Sequence, residues 1–248
     1  MVDEADTTQA NSAVLTPLNT ALLLICLLPL IVGNIVGNGL VVFAVYRYHH
    51  LRTPTYLIIA SLAMSDFLIG LIGIPLYLYF NLSTTTSCDS IAWIFFTAPI
   101  MILSGVSFVQ IIAVSADRYI AITRPLRYAT IVTTKRVQCV LACTCIIQSA
   151  FFLTRSYLLA AKDAKVITIK CPAGKHVADP NLWVMNLSLL MGIELSQLNG
   201  YHQSALAQVG IISVCINSVV NPVIYGYRDR LFREAFSDLR SRFVSFIS

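Results

Sequence analysis

The 248-residue chain is 57% hydrophobic and only 12% charged, with a net charge of +5 and a mean hydropathy of +0.75. Soluble domains carry about 25% charged residues, so these figures exclude an ordinary soluble domain and point to an integral membrane protein. No Lys or Arg precedes Arg47, while Asp3, Glu4 and Asp6 make the start acidic, and the positive-inside rule then puts the amino terminus outside.

Residues 1–16 are polar and acidic and read as a disordered extracellular tail. The start has no basic leader, so the first apolar run reads as a retained helix and not as a cleaved signal peptide. Leu22 to Tyr46 is long enough to cross a hydrocarbon core of about 30 Å at about 1.5 Å per residue. Its Gly33, Asn34, Gly37, Asn38 and Gly39 let another helix approach closely while an amide such as Asn38 projects inward. Arg47, His49, His50 and Arg52 form a short basic inner loop. Thr53-Pro54 opens the second helix, with Thr53 as its cap and Pro54 in the first turn. That helix runs on toward Phe80 and carries one acid, Asp66, at a depth of about 16 Å, near the bilayer midplane. Pro75 is expected to kink its outer end.

Asn81-Leu82-Ser83 is a glycosylation sequon in an outer loop that also holds Cys88. The third helix, Ile91 to Ile122, has no ionised side chain before Asp117-Arg118-Tyr119. There the acid and the arginine are expected to offset each other's desolvation where the segment leaves the bilayer. A second basic inner loop, Arg124 to Arg136, leads to a fourth span over Val137 to Leu153, at 17 residues near the minimum for a crossing. Arg155 to Lys175 contains five basic residues and Cys171 and reads as an outer loop. Leu182 to Leu195, at 14 residues with Asn186 and Glu194, reads as a partial or re-entrant helix. Ser204 to Tyr227 is the fifth full span and brings the carboxyl end inside. Residues 228–248 then form a cytoplasmic amphipathic helix and tail, with Arg228, Arg230, Arg233, Arg240 and Arg242 toward anionic lipid heads.

Of the seven cysteines, Cys88 and Cys171 alone lie in polar stretches and are the candidates for a disulfide. Cys139 and Cys143 are four apart, but no His, Asp or Glu accompanies them, so they read as buried small hydrophobes. Depth gathers the remaining polar groups. Asp66, Ser107 and Asn217 each stand about 16 Å from the inner face, with Asn38 and Asn221 slightly shallower. One carboxylate among hydroxyls and amides suits a small hard cation such as sodium. It equally suits a hydrogen-bond network that holds the helices together, and both readings stand.

These residues resemble the rhodopsin-like (class A) G-protein-coupled receptors. The matching features are Gly37-Asn38, Leu62-Ala63 through Asp66, Asp117-Arg118-Tyr119 with Pro125-Leu126, Asn217-Ser218-Val219-Val220-Asn221-Pro222 through Tyr225, and Phe232-Arg233 at the start of an eighth helix. The resemblance implies an all-α membrane protein built as a rhodopsin-like seven-helix bundle, here truncated to about five full spans, a partial helix and the amphipathic helix. Residues 1–248 would form a single transmembrane receptor domain in the plasma membrane, with an extracellular amino terminus and a cytoplasmic carboxyl terminus. It further implies a receptor for an extracellular small-molecule ligand that signals to a heterotrimeric G protein. Arg118 would contact the G protein, Tyr225 would move inward on activation, and Asp117, Tyr119, Asn221 and Pro222 would belong to the same switch. Asp66, Ser107, Asn217 and Asn221 would hold an allosteric sodium ion, and Cys88 and Cys171 would pair.

The chain departs from the family in having no counterpart of the fifth span and most of the sixth, and Cys145 stands where the fourth helix usually has tryptophan. Without the helix that swings on activation, coupling is expected to be weak or absent, with action through pairing with full-length relatives. Ile100 occupies the position at which amine receptors carry an aspartate, and Cys215 replaces the retinal lysine of opsins. A small transporter or channel using Asp66 as an ion or proton site is the alternative, though no inverted repeat supports it. Enzymatic chemistry and nucleic-acid binding are not expected, since Asp66 is the only deep acid and all four histidines lie in loops.

Overall fold

A computed structural model describes residues 17–82, 90–163 and 200–247, and these form helices and turns with no strand among them. The first helix, α1, is Pro17–Arg47. A short 3-10 turn, His49–Leu51, follows it. Helix α2, Pro54–Leu68, starts at Pro54 as expected, because the missing N–H of proline costs nothing in the first turn. Thr53 occupies the cap position, but its side chain makes no capping hydrogen bond. The second crossing is not one uniform helix. A π-turn, Ile69–Gly73, separates α2 from α3, Ile74–Leu82. Pro75 cannot donate to the helical ladder, and a single π-turn is one of the few ways a helix absorbs such a gap. Where the sequence leads to the expectation of a kink at Pro75, the helix carries a π-turn just before it.

Helix α4, Ser90–Thr123, carries the third crossing down to the Asp117-Arg118-Tyr119 stretch. After a 3-10 turn, Pro125–Arg127, come the short α5, Tyr128–Ile131, and the long α6, Thr134–Asp163. Helix α6 runs ten residues past Leu153, the expected end of the fourth span, so the stretch from Arg155 begins as helix and not as loop. Helix α7, Gly200–Arg228, covers the last expected span, and α8, Arg230–Ile247, is the amphipathic helix, longer than the sequence pattern alone marks out. Four stretches among the described residues are long and apolar enough to cross a membrane: Leu24–Arg47, Pro54–Tyr79, Phe95–Thr123 and Thr134–Thr154. Cys88, Cys171, the 1–16 tail and the 182–195 segment lie outside the described residues, and of Asn81 only the backbone is described, in α3.

Two apolar clusters hold the bundle. Away from α8, Leu27, Ile69, Ile74, Tyr77, Ile100 and Cys215 pack together. At the end where α8 lies, Val41, Ala44, Leu51, Ile59 and Ala63 pack with Phe232 and Ala235, so α8 is part of the core and not an appendage. Helix backbones approach closely where glycine removes the side chain. A methyl group on Gly37 would stand 3.1 Å from the Pro222 ring, and one on Gly73 would stand 3.1 Å from Cβ and 3.2 Å from Cα of Ile100. Cys139, Cys143 and Cys145 are exposed on α6, which corrects the expectation that the first two are buried. In a bilayer an apolar residue is as content against lipid as against a neighbouring helix.

The contact at Gly73 is with backbone and cannot relax by side-chain rotation. Gly73→Val is therefore expected to lower the thermal unfolding midpoint in lipid nanodiscs by about 4 °C or more, the usual scale of an overpacked interior. Gly39→Ala, whose added carbon would meet only the Phe67 ring at 3.4 Å, is expected to leave it within about 1 °C.

Candidate functional site

The second crossing delivers Asp66 to the centre of the bundle, where its side chain is fully buried. An unpaired carboxylate there would be costly, and three donors meet it. Ser107 Oγ on α4 donates to Oδ1 at 2.8 Å, Ser218 Oγ on α7 donates to the same oxygen at 2.9 Å, and Asn221 Nδ2 donates to Oδ2 at 2.8 Å. Hydrogen bonds to an ionised acceptor are roughly twice as strong as neutral ones, so one side chain ties the second, third and last crossings together. Of the residues expected around Asp66, the fold brings Ser107 and Asn221 to the carboxylate. Asn217 is exposed and makes no hydrogen bond to Asp66, and Ser218, one residue further along α7, takes that place.

Asn38 is fully buried in the adjoining layer, where its Nδ2 donates to the Ser218 carbonyl at 3.1 Å and to Asn34 Oδ1 at 2.6 Å. A further polar layer lies nearer the inner face. Ser65 Oγ donates to Gln110 Oε1 at 3.1 Å, and Gln110 Nε2 donates to Ser61 Oγ at 2.7 Å. Depth counting does not single out Gln110, although an amide in an apolar helix is the signal that finds it.

At the inner end the pairing of Asp117 with Arg118 does not form. Asp117 is 3% exposed. Its carboxylate accepts from the Tyr128 hydroxyl at 2.6 Å and from Thr55 Oγ1 at 3.1 Å, and the Thr55 and Tyr128 hydroxyls lie 2.7 Å apart. Arg118 and Tyr119 are exposed. Adjacent residues on a helix project about 100° apart and do not face each other, so the acid turns into the bundle and the arginine stays open on the inner surface. Burial, and then the bond to Asp117, push the Tyr128 phenol above its ordinary range, which keeps it a neutral donor.

Arg118 follows Asp117, which Thr55 engages, and so stands at the end of the bundle where Tyr56 and Tyr225 lie. Those two rings flank Phe232, Tyr56 edge-on at 5.4 Å and Tyr225 stacked at 6.0 Å. The Tyr56 hydroxyl donates to both carboxylate oxygens of Asp229, at 3.2 and 3.0 Å. Asp229 also accepts from the backbone N–H of Leu231 at 3.0 Å and so caps α8. Pro222, buried against Gly37, sits one residue after Asn221. The two tyrosines and the start of α8 therefore form one cluster.

The donor set at Asp66 can be tested against a cation. A carboxylate oxygen with two hydroxyl oxygens on it offers three hard oxygen donors, the kind a sodium ion takes. The residues present fit such an ion, with Asp66, Ser107 and Ser218 as its donors.

Among the described residues, a helical bundle with apolar crossings and a polar centre on one acid defines a multi-pass membrane protein. The sequence model described as 7 transmembrane receptor (rhodopsin family) matches residues 37–193. The chain belongs to this family. Among curated proteins it is similar to the "Dopamine receptor 2" of Drosophila melanogaster, with 32% identity over 147 residues, which is 58% of this chain and 27% of that protein. It is similar also to the human "Adenosine receptor A2b", 34% identical over 131 residues (53% and 39% of the two chains). The rat "Histamine H2 receptor" is 37% identical over 113 residues (46% and 32%). The matches thus span well under half the length of each of these relatives.

The inner end also carries a pH dependence. Tyr48 Oη donates to Asp238 Oδ2 at 2.5 Å and pins α8 to the first inner loop. The bond holds the Asp238 carboxyl below its ordinary range and lifts the Tyr48 phenol above its own. A depressed acid contributes stability above its unfolded value and loses it as pH falls through the folded one. A raised phenol contributes below its unfolded value and loses it as pH rises through the folded one. A spin label on α8 is accordingly expected to keep constant mobility from about pH 5 to about pH 9, rising outside that window. Tyr48→Phe is expected to raise mobility throughout and to move the acid limb upward.

Proposed function

We propose that this protein is a plasma-membrane receptor that passes an extracellular small-molecule signal to a heterotrimeric G protein. The observation that carries the reading is that Asp117 is engaged by Tyr128 and Thr55 while Arg118 stands exposed, at the end of the bundle that also holds Tyr56, Tyr225 and the start of α8. A cation free of its neighbouring acid, on the side where two basic loops and α8 gather, suits a contact with a cytoplasmic partner. The amino terminus lies outside in this reading and the carboxyl terminus inside, as the distribution of Arg and Lys favours. Cys88 and Cys171 then pair on the outer face, near a glycan on Asn81. Arg230, Arg233, Arg240 and Arg242 of α8 meet anionic lipid heads, and pairing with related receptors occurs within the same membrane.

The relatives' names refer to dopamine, adenosine and histamine, all small molecules. An ammonium ligand is disfavoured here, because Ile100, in the position where amine receptors carry an aspartate, is fully buried against Gly73. Asp66 binds an allosteric sodium ion in this reading, with Ser107 and Ser218 supplying hydroxyl oxygens. The ion would neutralise the buried acid and strap the second, third and last crossings together. Use of Asp66 as a transport site is not favoured, since three protein donors already fix its carboxylate.

Binding is the direct test, because activation calls on a sixth helix for which the sequence offers little counterpart. Purified heterotrimeric G protein is expected to sediment with vesicles carrying the chain, and Arg118→Ala is expected to weaken that association about tenfold, the scale of one charge-assisted contact. Sedimentation no greater than with protein-free vesicles would contradict the proposal.

A further inference from the structure

Three residues and Asp66 close a ring of hydrogen bonds. Asn34 Nδ2 donates to the Asp66 backbone carbonyl at 2.9 Å, and Ser218 Oγ donates to Asp66 Oδ1 at 2.9 Å. Asn38 Nδ2 donates to the Ser218 backbone carbonyl at 3.1 Å and to Asn34 Oδ1 at 2.6 Å. All four residues are at most 1% exposed. The ring joins α1, α2 and α7, and Asn34 and Ser218 each bridge Asp66 and Asn38, Asn34 through its side-chain amide. The resemblance assigns Asn34 no part.

Two details show that this geometry is built in. The Asp66 carbonyl lies three residues before the π-turn Ile69–Gly73, where the regular ladder gives way. The Ile69 N–H is shared between the Ser65 and Asp66 carbonyls there, and the Asn34 amide supplies a second donor to Asp66. Gly70 in that turn makes room for it and for Ile35, since a methyl group on Gly70 would stand 3.1 Å from Ile35 Cγ1, 3.2 Å from Asn34 Nδ2 and 3.3 Å from the Asn34 Cβ. Asn38 meanwhile leaves its own Oδ1 buried without a partner. An orphan acceptor is costly to bury, so the acceptors on Asn34 and Ser218 outweigh it in setting the Asn38 amide.

We infer that Asn34 is a positioning residue for the cation site at Asp66: it fixes the Asp66 backbone from one side and, through Asn38, the Ser218 backbone from the other. The two oxygens it sets in place, Asp66 Oδ1 and Ser218 Oγ, are both donors proposed for sodium, so the inference rests on the sodium reading of the site. Asn34 touches no ion itself. Residues that orient metal ligands typically carry a tenfold to hundredfold share of affinity.

The test is thermal unfolding of the protein in lipid nanodiscs while sodium chloride replaces choline chloride at constant ionic strength. Sodium is expected to raise the unfolding midpoint of the unsubstituted protein, and Asp66→Asn to abolish the rise. Asn34→Leu removes the amide, and Gly70→Ala crowds it while leaving it present. Each is expected to move the half-saturating sodium concentration up about tenfold, whatever it does to the sodium-free midpoint. If Asn34→Leu does not fold, Gly70→Ala decides alone. An unchanged half-saturation point in the variants that fold, beside a response that Asp66→Asn abolishes, would overturn the role of Asn34 and leave the sodium site standing. No sodium response in the unsubstituted protein would overturn both.

Discussion

A carboxylate at the middle of a bilayer must be met by donors, and the rest of the bundle is arranged around that requirement. Asp66 cannot reach water, and leaving it unpaired would cost several kcal/mol. Its three donors come from two other helices, Ser107 on α4 and Ser218 and Asn221 on α7. Lipid tails are as apolar as leucine, so apolar packing alone gives these helices little preference for one another over lipid. The polar centre supplies the preference, and glycines at 37, 70 and 73 let the backbones come close enough for short side chains to reach.

The inner end obeys the same rule with a different outcome. Asp117 also needs donors, and it finds them in Tyr128 and Thr55. That choice draws the second inner loop onto α2 and leaves Arg118 exposed. Asp229 and Asp238 repeat the pattern with Tyr56 and Tyr48, fastening α8 to the inner ends of the second and first crossings. Three tyrosine–aspartate pairs thus organise the end of the bundle that α8 closes, and the two ion pairs found among the described residues, Arg230–Glu234 and Arg242–Asp238, are exposed contacts within α8. Exposed pairs of that kind contribute little.

Much of this was legible in the sequence, and the failures have physical causes. Depth alone brings Ser107 to Asp66, because residues at equal distance from one face of a bilayer lie at one level. Depth does not choose between Asn217 and Ser218: both are within one turn of Asn221, at spacings of four and three, and the rotation of α7 about its axis decides. Adjacency of Asp117 and Arg118 suggests a pair, yet neighbours on a helix diverge, and Tyr128 reaches the acid only because the loop folds back. Hydrophobicity does not say whether Cys139 and Cys143 face lipid or protein, and they are exposed. Asn34 and Asn38, four apart on one face of α1, were visible as a polar stripe, but their joint role needs the π-turn and the Ser218 carbonyl to be in place.

The measurement that bears most directly on this account is a double-mutant cycle on unfolding free energy in lipid nanodiscs with Asp66→Asn and Ser218→Ala, set beside the same cycle with Asn217→Ala. A carboxylate that ties the second crossing to the last predicts a coupling of about 1 kcal/mol or more between Asp66 and Ser218 and none measurable between Asp66 and Asn217. Additive effects of Asp66→Asn and Ser218→Ala, or a coupling that falls on Asn217 instead, would contradict it.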